Sequence, residues 1–438
     1  MTCGVIVVAP PWPRSGSGNI FAAQVAAHAR RGARVLLLLA PPHRGFARHK
    51  TEFWRDAVTS MRYPGVDTVA YPRTGRGRLR AYVNWLRAGR DDTLAITARY
   101  GASGRLPADL RPFLASVQVG LIHVNHAFSM PLALRVARLV QRIQGQRPRI
   151  LLDTHDIQSD VFFARGENNP LAGRLDSHAE LLRTELALCA GADALVHVTR
   201  ADGDFFASHL VDKDHAVVLP TLNPAHEMEL MRRRGQGQPQ SQPDAAPGDG
   251  PGGEPGGTWL IYIGNQHEAN LATVRWLLAE VLPLAGPRVA DRVRIIGAIG
   301  GLLKRRDPEL FSRHAAVFAG EVASIFEFYS RARAVLAPAL AGTGTSIKLI
   351  EALCAGKPVV TTTLGLRGLP AGELADADIE VHDTAAAFAK ALTRFVDDVP
   401  SAPAISRANA ALYDQLFSNK RFFAALDAVI EGRTRRDA

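Results

Sequence analysis

Residues 337–370 read APALAGTGTSIKLIEALCAGKPVVTTTLGLRGLP, an apolar strand, a glycine-rich loop, a helix and a second apolar strand in immediate succession. The strand ends at Pro338. The loop Gly342-Thr343-Gly344-Thr345-Ser346 then opens a helix near Ile347. The first backbone N–H groups of a helix have no partner inside it, so with flexible glycines and hydroxyl side chains they form an anion site. Lys348 falls in the first turn, where a cation opposes the helix dipole, a placement that makes sense if a phosphate is present. Glu351 follows one turn later, placed to accept two hydroxyls of a ribose. The helix ends at Gly356, and Lys357-Pro358 leads into the next strand. The bland alternative is an ordinary capped loop–helix–strand unit.

Outward from this stretch the same alternation recurs. Trp259–Ile263, Val293–Ile296, Ala315–Phe318, Ala334–Ala337 and Pro358–Thr361 read as strands, with helices near 269–282, 323–332, 346–355 and 384–398. Upstream, Val5–Ala9, Ala33–Ala40, Val117–Val124, Ile150–Thr154 and Ala194–Thr199 read as strands, and a helix is predicted over about 18–31. Short apolar runs alternating with helices argue for parallel sheets covered on both faces. Between the two blocks, residues 235–257 read GQGQPQSQPDAAPGDGPGGEPGG, with eight Gly and five Pro. Such a segment cannot bury enough surface to offset its ordering entropy, so it reads as a linker. The expected organisation is an N-terminal domain over 1–234, the linker over 235–257, a C-terminal domain over 258–400, and one or two helices over 401–438 that cross back to the first domain. Two doubly wound α/β domains would face a central cleft where ligands bind.

Composition agrees with a globular chain. Of 438 residues, 47% are apolar and 21% charged, and the net charge is +10. Residues 1–232 carry 29 Lys/Arg against 20 Asp/Glu, a net of +9, whereas 233–438 carry 23 against 22, a net of +1. The basic half suggests an anionic partner. Cys3, Cys189 and Cys354 form no C-x-x-C pair, which argues against a disulfide framework or a zinc site and for a reducing compartment. No apolar run reaches membrane-spanning length. The first residues read as a strand rather than a signal peptide. No repeat of 20–50 residues is present.

The 337–370 stretch resembles the donor-binding segment of GT-B glycosyltransferases of family 4. The family pattern E-A-x-x-x-G-x-P-V-V stands here as Glu351-Ala352 and Gly356-Lys357-Pro358-Val359-Val360. Trp259–Asn265 with Asn270, Trp276 and Leu282-Pro283, then Val293–Gly297, then Gly320-Glu321-Val322 with Tyr329, resemble successive segments of the same domain. The resemblance implies a GT-B fold of two Rossmann-like domains and a retaining sugar transfer from a nucleotide donor. It implies that Glu351 holds the donor ribose and that Gly342, Thr343, Gly344, Thr345 and Ser346 cradle the diphosphate with Lys348. It places Gly264 and Asn265 in the donor site and the Val322 loop at the base. Two departures stand out: many members carry a second Glu where this chain has Thr343, and the usual Lys and Arg are missing from 264–274.

In the first domain, Gly16, Gly18 and Asn19 form a glycine loop after the first strand. It is similar to the family loop that approaches the donor phosphates, although the turn itself could require the glycines. His123, His126 and His155 sit at strand ends. The resemblance places His155 at the sugar, oriented by Asp153 or Asp156, so His155 and Asp156 are the catalytic candidates. The departing phosphate can take the acceptor's proton, so positioning and electrostatics matter more than a strong base. No metal and no organic cofactor is expected. Asp202-Gly-Asp204 imitates a metal-binding D-x-D but reads as a helix cap.

Residues 30–112 hold 17 Lys/Arg and 6 Asp/Glu. Within them Arg78, Arg80, Arg87 and Arg90 flank an apolar helical stripe beside Trp85. This reads either as an interfacial helix on an anionic membrane or as a packed surface helix. No nucleic-acid module accompanies the charge. The expected protein is a cytoplasmic glycosyltransferase, with peripheral membrane attachment as the reading of that helix. It would move a sugar from a nucleotide donor to a glycan or lipid-linked acceptor in cell-surface polysaccharide or glycoconjugate synthesis. A nucleotide-sugar epimerase or hydrolase of the same fold, and a non-catalytic nucleotide-sugar-binding protein, are the alternatives.

Overall fold

The computed structural model describes residues 3–13, 15–40, 56–70, 94, 97–98, 105–167, 177–235, 259–342, 344–397 and 406–433. Thr343, the segment 236–258, and Arg78, Arg80, Trp85, Arg87 and Arg90 lie outside the described residues. The chain forms two units: Met1–Asn223 with Phe422–Ala438, and Pro224–Arg421. The helix Pro224–Gly235 thus belongs to the second unit, and the first segment of the first unit ends at Asn223, where 234 was expected.

The first unit is built on seven parallel strands: β1 (Cys3–Ala9), β2 (Arg34–Leu39), β3 (Asp67–Ala70), β4 (Gln118–Asn125), β5 (Arg149–Asp153), β6 (Ala194–His197) and β7 (Asp214–Val217), in the order β3-β2-β1-β4-β5-β6-β7. The central strands are apolar at consecutive positions because both faces are covered. Ile6, Val8, Leu36, Leu38, Ile122 and Val124 pack on one side with the helix Met130–Gln144. Val5, Val7, Leu37 and Leu39 pack on the other with Phe21 and Val25 of the helix Gly16–Arg30. Phe422, Leu426 and Val429, from the last helix (Asn419–Ile430), complete that second layer. Arg30 and Arg31 pair with Asp427 at 2.7 and 2.9 Å and fix this helix in place.

The second unit repeats the plan with β8 (Trp259–Ile263), β9 (Val293–Ile296), β10 (Phe318–Gly320), β11 (Ala332–Leu336), β12 (Val359–Thr361) and β13 (Ile379–Val381), ordered β10-β9-β8-β11-β12-β13 and again parallel. The strand expected at Ala315–Phe318 is displaced. Ala315–Val317 form a 3-10 turn, and the strand starts at Phe318. The helix expected over 269–282 is α-helical over Glu268–Trp276 and widens to a π turn over Leu277–Val281. At Gly297 φ is +101° and a Cβ would stand 2.5 Å from the carbonyl oxygen of Gly264, so only glycine fits where β8 and β9 end side by side.

In each sheet the strand order reverses once, between β1 and β4 and between β8 and β11. Loops at the carboxyl ends of such neighbouring strands diverge and leave a crevice for ligands. The loops 10–15 and 126–129 lie at the first switch point. The loops 264–267 and 337–346 lie at the second.

Candidate functional site

The glycine-rich loop after β11 leads into the helix Ile347–Cys354 as expected. Gly342 adopts a φ of +127°, which glycine reaches without strain. Its carbonyl accepts a hydrogen bond from Arg367 Nη1 at 2.7 Å. Ser346 precedes the first turn without capping it through its side chain. The Thr345 hydroxyl is buried and makes no hydrogen bond. An unsatisfied buried hydroxyl beside free helix N–H groups is an acceptor's place left open.

Lys348 crosses to the helix Glu268–Trp276 that follows the neighbouring switch-point loop. Its Nζ donates to Asn270 Oδ1 at 2.9 Å and lies 5.1 Å from the centre of the Tyr262 ring. Asn270 also accepts from the Tyr262 hydroxyl at 3.0 Å and donates to Asn265 Oδ1 at 2.7 Å. Asn265 and Lys348 are thereby joined through the Asn270 amide, and Gly264 directly follows β8. Burial pushes the Lys348 ammonium down to about 8, with Glu351 pulling it up. A lysine shifted this way is charged below pH 8 and sheds its proton above. Affinity for a nucleoside diphosphate is therefore expected to fall as pH rises through about 8, and binding above that pH should take up a proton. Calorimetry in buffers of different ionisation enthalpy measures both, and Lys348→Met should abolish the pH step.

Glu351 is 7% exposed. Its Oε2 accepts from the Tyr329 hydroxyl at 2.8 Å, and its Oε1 is 3.4 Å from His226 Nε2. Burial, then the carboxylate, raise the Tyr329 phenol well above its ordinary value, so it stays a donor. Tyr329 lies on the helix Phe326–Arg331, which follows directly on the loop that carries Val322. Two arginines from elsewhere in this unit hydrogen-bond to the switch-point loops. Arg305 Nη2 donates to Gln266 Oε1 at 2.9 Å, and Arg367 holds the glycine loop.

In the first unit, Gly16 and Gly18 open the helix Gly16–Arg30, capped by Ser15. A Cβ at Gly18 would stand 2.3 Å from the Trp12 carbonyl oxygen, so the turn itself demands this glycine. The Asn19 side chain accepts from the Asn223 backbone at 3.1 Å. His126 and His155 follow β4 and β5, with φ of +64° and +61°, the two non-glycine positive values among the described residues. Each costs about 1–3 kcal/mol. Their rings stack with centroids 4.2 Å apart, and His126 stacks on Phe128 at 5.0 Å. His123 turns instead into the core, its Nδ1 3.0 Å from His28 Nε2.

The group that orients His155 is Asn125, not a carboxylate directly. Gln24 Nε2 donates to Asp153 Oδ2 at 2.9 Å, and Asn125 Nδ2 donates to Gln24 Oε1 at 2.9 Å and to the Val8 carbonyl at 3.2 Å. That leaves Asn125 Oδ1 facing His155 Nε2 at 2.7 Å, so Nε2 carries the proton. Asp153 Oδ1 accepts the His155 backbone N–H at 3.2 Å. Burial raises the Asp153 carboxyl to about 7 and drives His155 well below its ordinary value, so the imidazole is neutral at pH 7. The Asp156 backbone N–H donates to the Thr154 carbonyl at 2.8 Å, making a tight turn after His155. The D-x-D segment starts a helix whose N-cap is Thr199, accepting from the Asp202 N–H at 3.0 Å. No cluster of three metal-ligating side chains occurs among the described residues.

The chain aligns over its whole length with sucrose-phosphate synthase from Thermosynechococcus elongatus, at 15% identity, 98% of each chain and a TM-score of 0.60. It aligns with an α,α-trehalose-phosphate synthase (UDP-forming) from Burkholderia vietnamiensis at 15% identity, 99% of each chain and 0.58. HepE of Anabaena, in complex with UDP-glucose, aligns at 13% identity, 98% of this chain and 99% of that one, and 0.56. The chain has the GT-B fold. Residues 257–398, which hold Asn265, Lys348 and Glu351, match the family described as Glycosyl transferases group 1. No curated protein matches the sequence significantly.

Proposed function

We propose that the chain is a retaining glycosyltransferase of the family 4 type that uses a nucleotide sugar, without a metal. The observation that carries the reading is the helix Ile347–Cys354. It begins at the open Thr345 hydroxyl and presents a lysine and a tethered glutamate on one face, three residues apart. In this reading Glu351 accepts the ribose hydroxyls. The 342–346 backbone and Lys348 hold the diphosphate, and the Val322 loop meets the base. The bond from the anomeric carbon to the phosphate oxygen breaks, and the acceptor oxygen bonds that carbon on the same face. The acceptor's proton passes to the departing phosphate. His155, neutral and held by Asn125, orients the sugar.

A glycan or lipid-linked saccharide is the proposed acceptor, taken by the basic N-terminal half in cell-surface polysaccharide synthesis. The proposed location is cytoplasmic, with peripheral attachment through the 78–90 segment. No described helix is long and apolar enough to cross a membrane. Thr343, in place of a family glutamate, favours one competitor, a nucleotide-sugar-binding protein without turnover. The test is incubation with UDP- and GDP-sugars and oligosaccharide or polyprenyl-phosphate-linked acceptors. Acceptor-dependent release of nucleoside diphosphate is expected. Tight nucleotide binding with no release across all acceptors would leave the non-catalytic reading standing.

A further inference from the structure

We propose that His226 is a positioning residue for Glu351, acting on a bound nucleotide through the carboxylate rather than by touching the ligand. This rests on the reading of Glu351 as the ribose acceptor. The argument is geometric and lies within the second unit. His226 sits in the first turn of the helix Pro224–Gly235. Its Nε2 stands 3.4 Å from Glu351 Oε1, is sealed from solvent and makes no hydrogen bond. Buried ring nitrogens are nearly always satisfied. This one is a few tenths of an ångström beyond a normal N–H···O bond.

Two contacts keep the imidazole aimed. Its ring lies edge-on to Phe326, with centroids 4.9 Å apart and planes at 70°. The adjacent Glu227 pins the helix. Glu227 Oε1 accepts from the Tyr413 hydroxyl at 2.9 Å and the Asn419 backbone N–H at 2.7 Å, and its Oε2 accepts from the Asn419 amide. A carboxylate offers about four acceptor directions. Tyr329 fills one on Oε2, and His226 in its Nε2–H form fills one on Oε1. Two remain, the number a vicinal diol needs. The imidazole thereby sets the carboxylate plane for the two ribose hydroxyls.

The test uses the full chain with UDP and 2′-deoxy-UDP as calorimetric probes, and melting curves to confirm folding. His226→Phe keeps the packing on Phe326 and removes the donor. His226→Gln returns an amide N–H close to the position of Nε2. His226→Phe is expected to weaken UDP about 5- to 10-fold and 2′-deoxy-UDP much less, shrinking the discrimination between them. Gln should restore most of the loss, and the Phe substitution should add nothing in a Glu351→Ala background. Equal weakening of both probes without rescue by Gln would show a merely structural role and overturn the proposal. So would unchanged UDP affinity in His226→Phe alongside weakened binding in Glu351→Ala. Undiminished affinity in Glu351→Ala would instead overturn the parent reading, and the proposal with it.

Discussion

His155→Ala is expected to lower sugar transfer on the order of a hundred- to a thousand-fold while leaving the dissociation constant for the nucleoside diphosphate unchanged. The ring is held by a chain of oriented groups: Gln24 donates to Asp153, Asn125 donates to Gln24 and to the Val8 carbonyl, and His155 donates to Asn125. Each link has one polarity, so the tautomer is set before any substrate arrives. The backbone there is held at a positive φ that a glycine would adopt freely. In the proposed reading, the strain at this position is the cost of placing the ring at the sugar. His155→Gly should therefore match alanine in lost activity, which separates loss of the imidazole from disturbance of the turn. The measurement is kcat against nucleotide affinity for both variants, and activity within a few-fold of the wild type would remove His155 from the reaction.

The second large effect is expected at Glu351. Its replacement by alanine should weaken nucleotide binding about a hundred-fold, the equivalent of about 2.7 kcal/mol, by deleting two charge-assisted hydrogen bonds to the ribose. The same change strips the buried Tyr329 hydroxyl of its acceptor, at about 1–3 kcal/mol of stability. Binding must then be measured well below the lowered melting temperature. Glu351→Gln keeps an acceptor for Tyr329 and should lose only about ten-fold in affinity, with a melting temperature close to that of the wild type. An alanine variant that binds as well as the parent would empty the proposed donor site of its main recognition element.

Local pattern and distant contact divide what could be read from the chain alone. The glycine loop, the lysine and the glutamate were legible because they lie within ten residues, and helical spacing puts Lys348 and Glu351 on one side. The central strands were legible because burial on both faces demands unbroken apolar runs. Edge strands were not. β3, β7 and β13 are three or four residues long and half-exposed, so they carry no such run. Nor were the side chains that tune the site. Gln24 meets Asp153 across 129 residues, and Asn270 meets Lys348 across 78. His226, Arg305 and Arg367 are ordinary polar residues in sequence, and only folding brings them to Glu351, Gln266 and Gly342. Asp153 was noticed, but its path to His155 runs through Asn125, which reads in sequence as one polar residue between two histidines.

The last helix, Asn419–Ile430, begins in the second unit and ends in the first, where Phe422, Leu426 and Val429 are buried in the core. The first unit is therefore discontinuous in the gene. A recombination event with a single breakpoint near Asn223 would exchange the second unit together with the helix that covers the first one's sheet. It would leave Phe21 and Val25 facing foreign residues. Grafting a new second unit onto this chain requires two junctions, one at 223/224 and one at 421/422. Any inherited exchange of the second unit by shuffling is held to the same double cut.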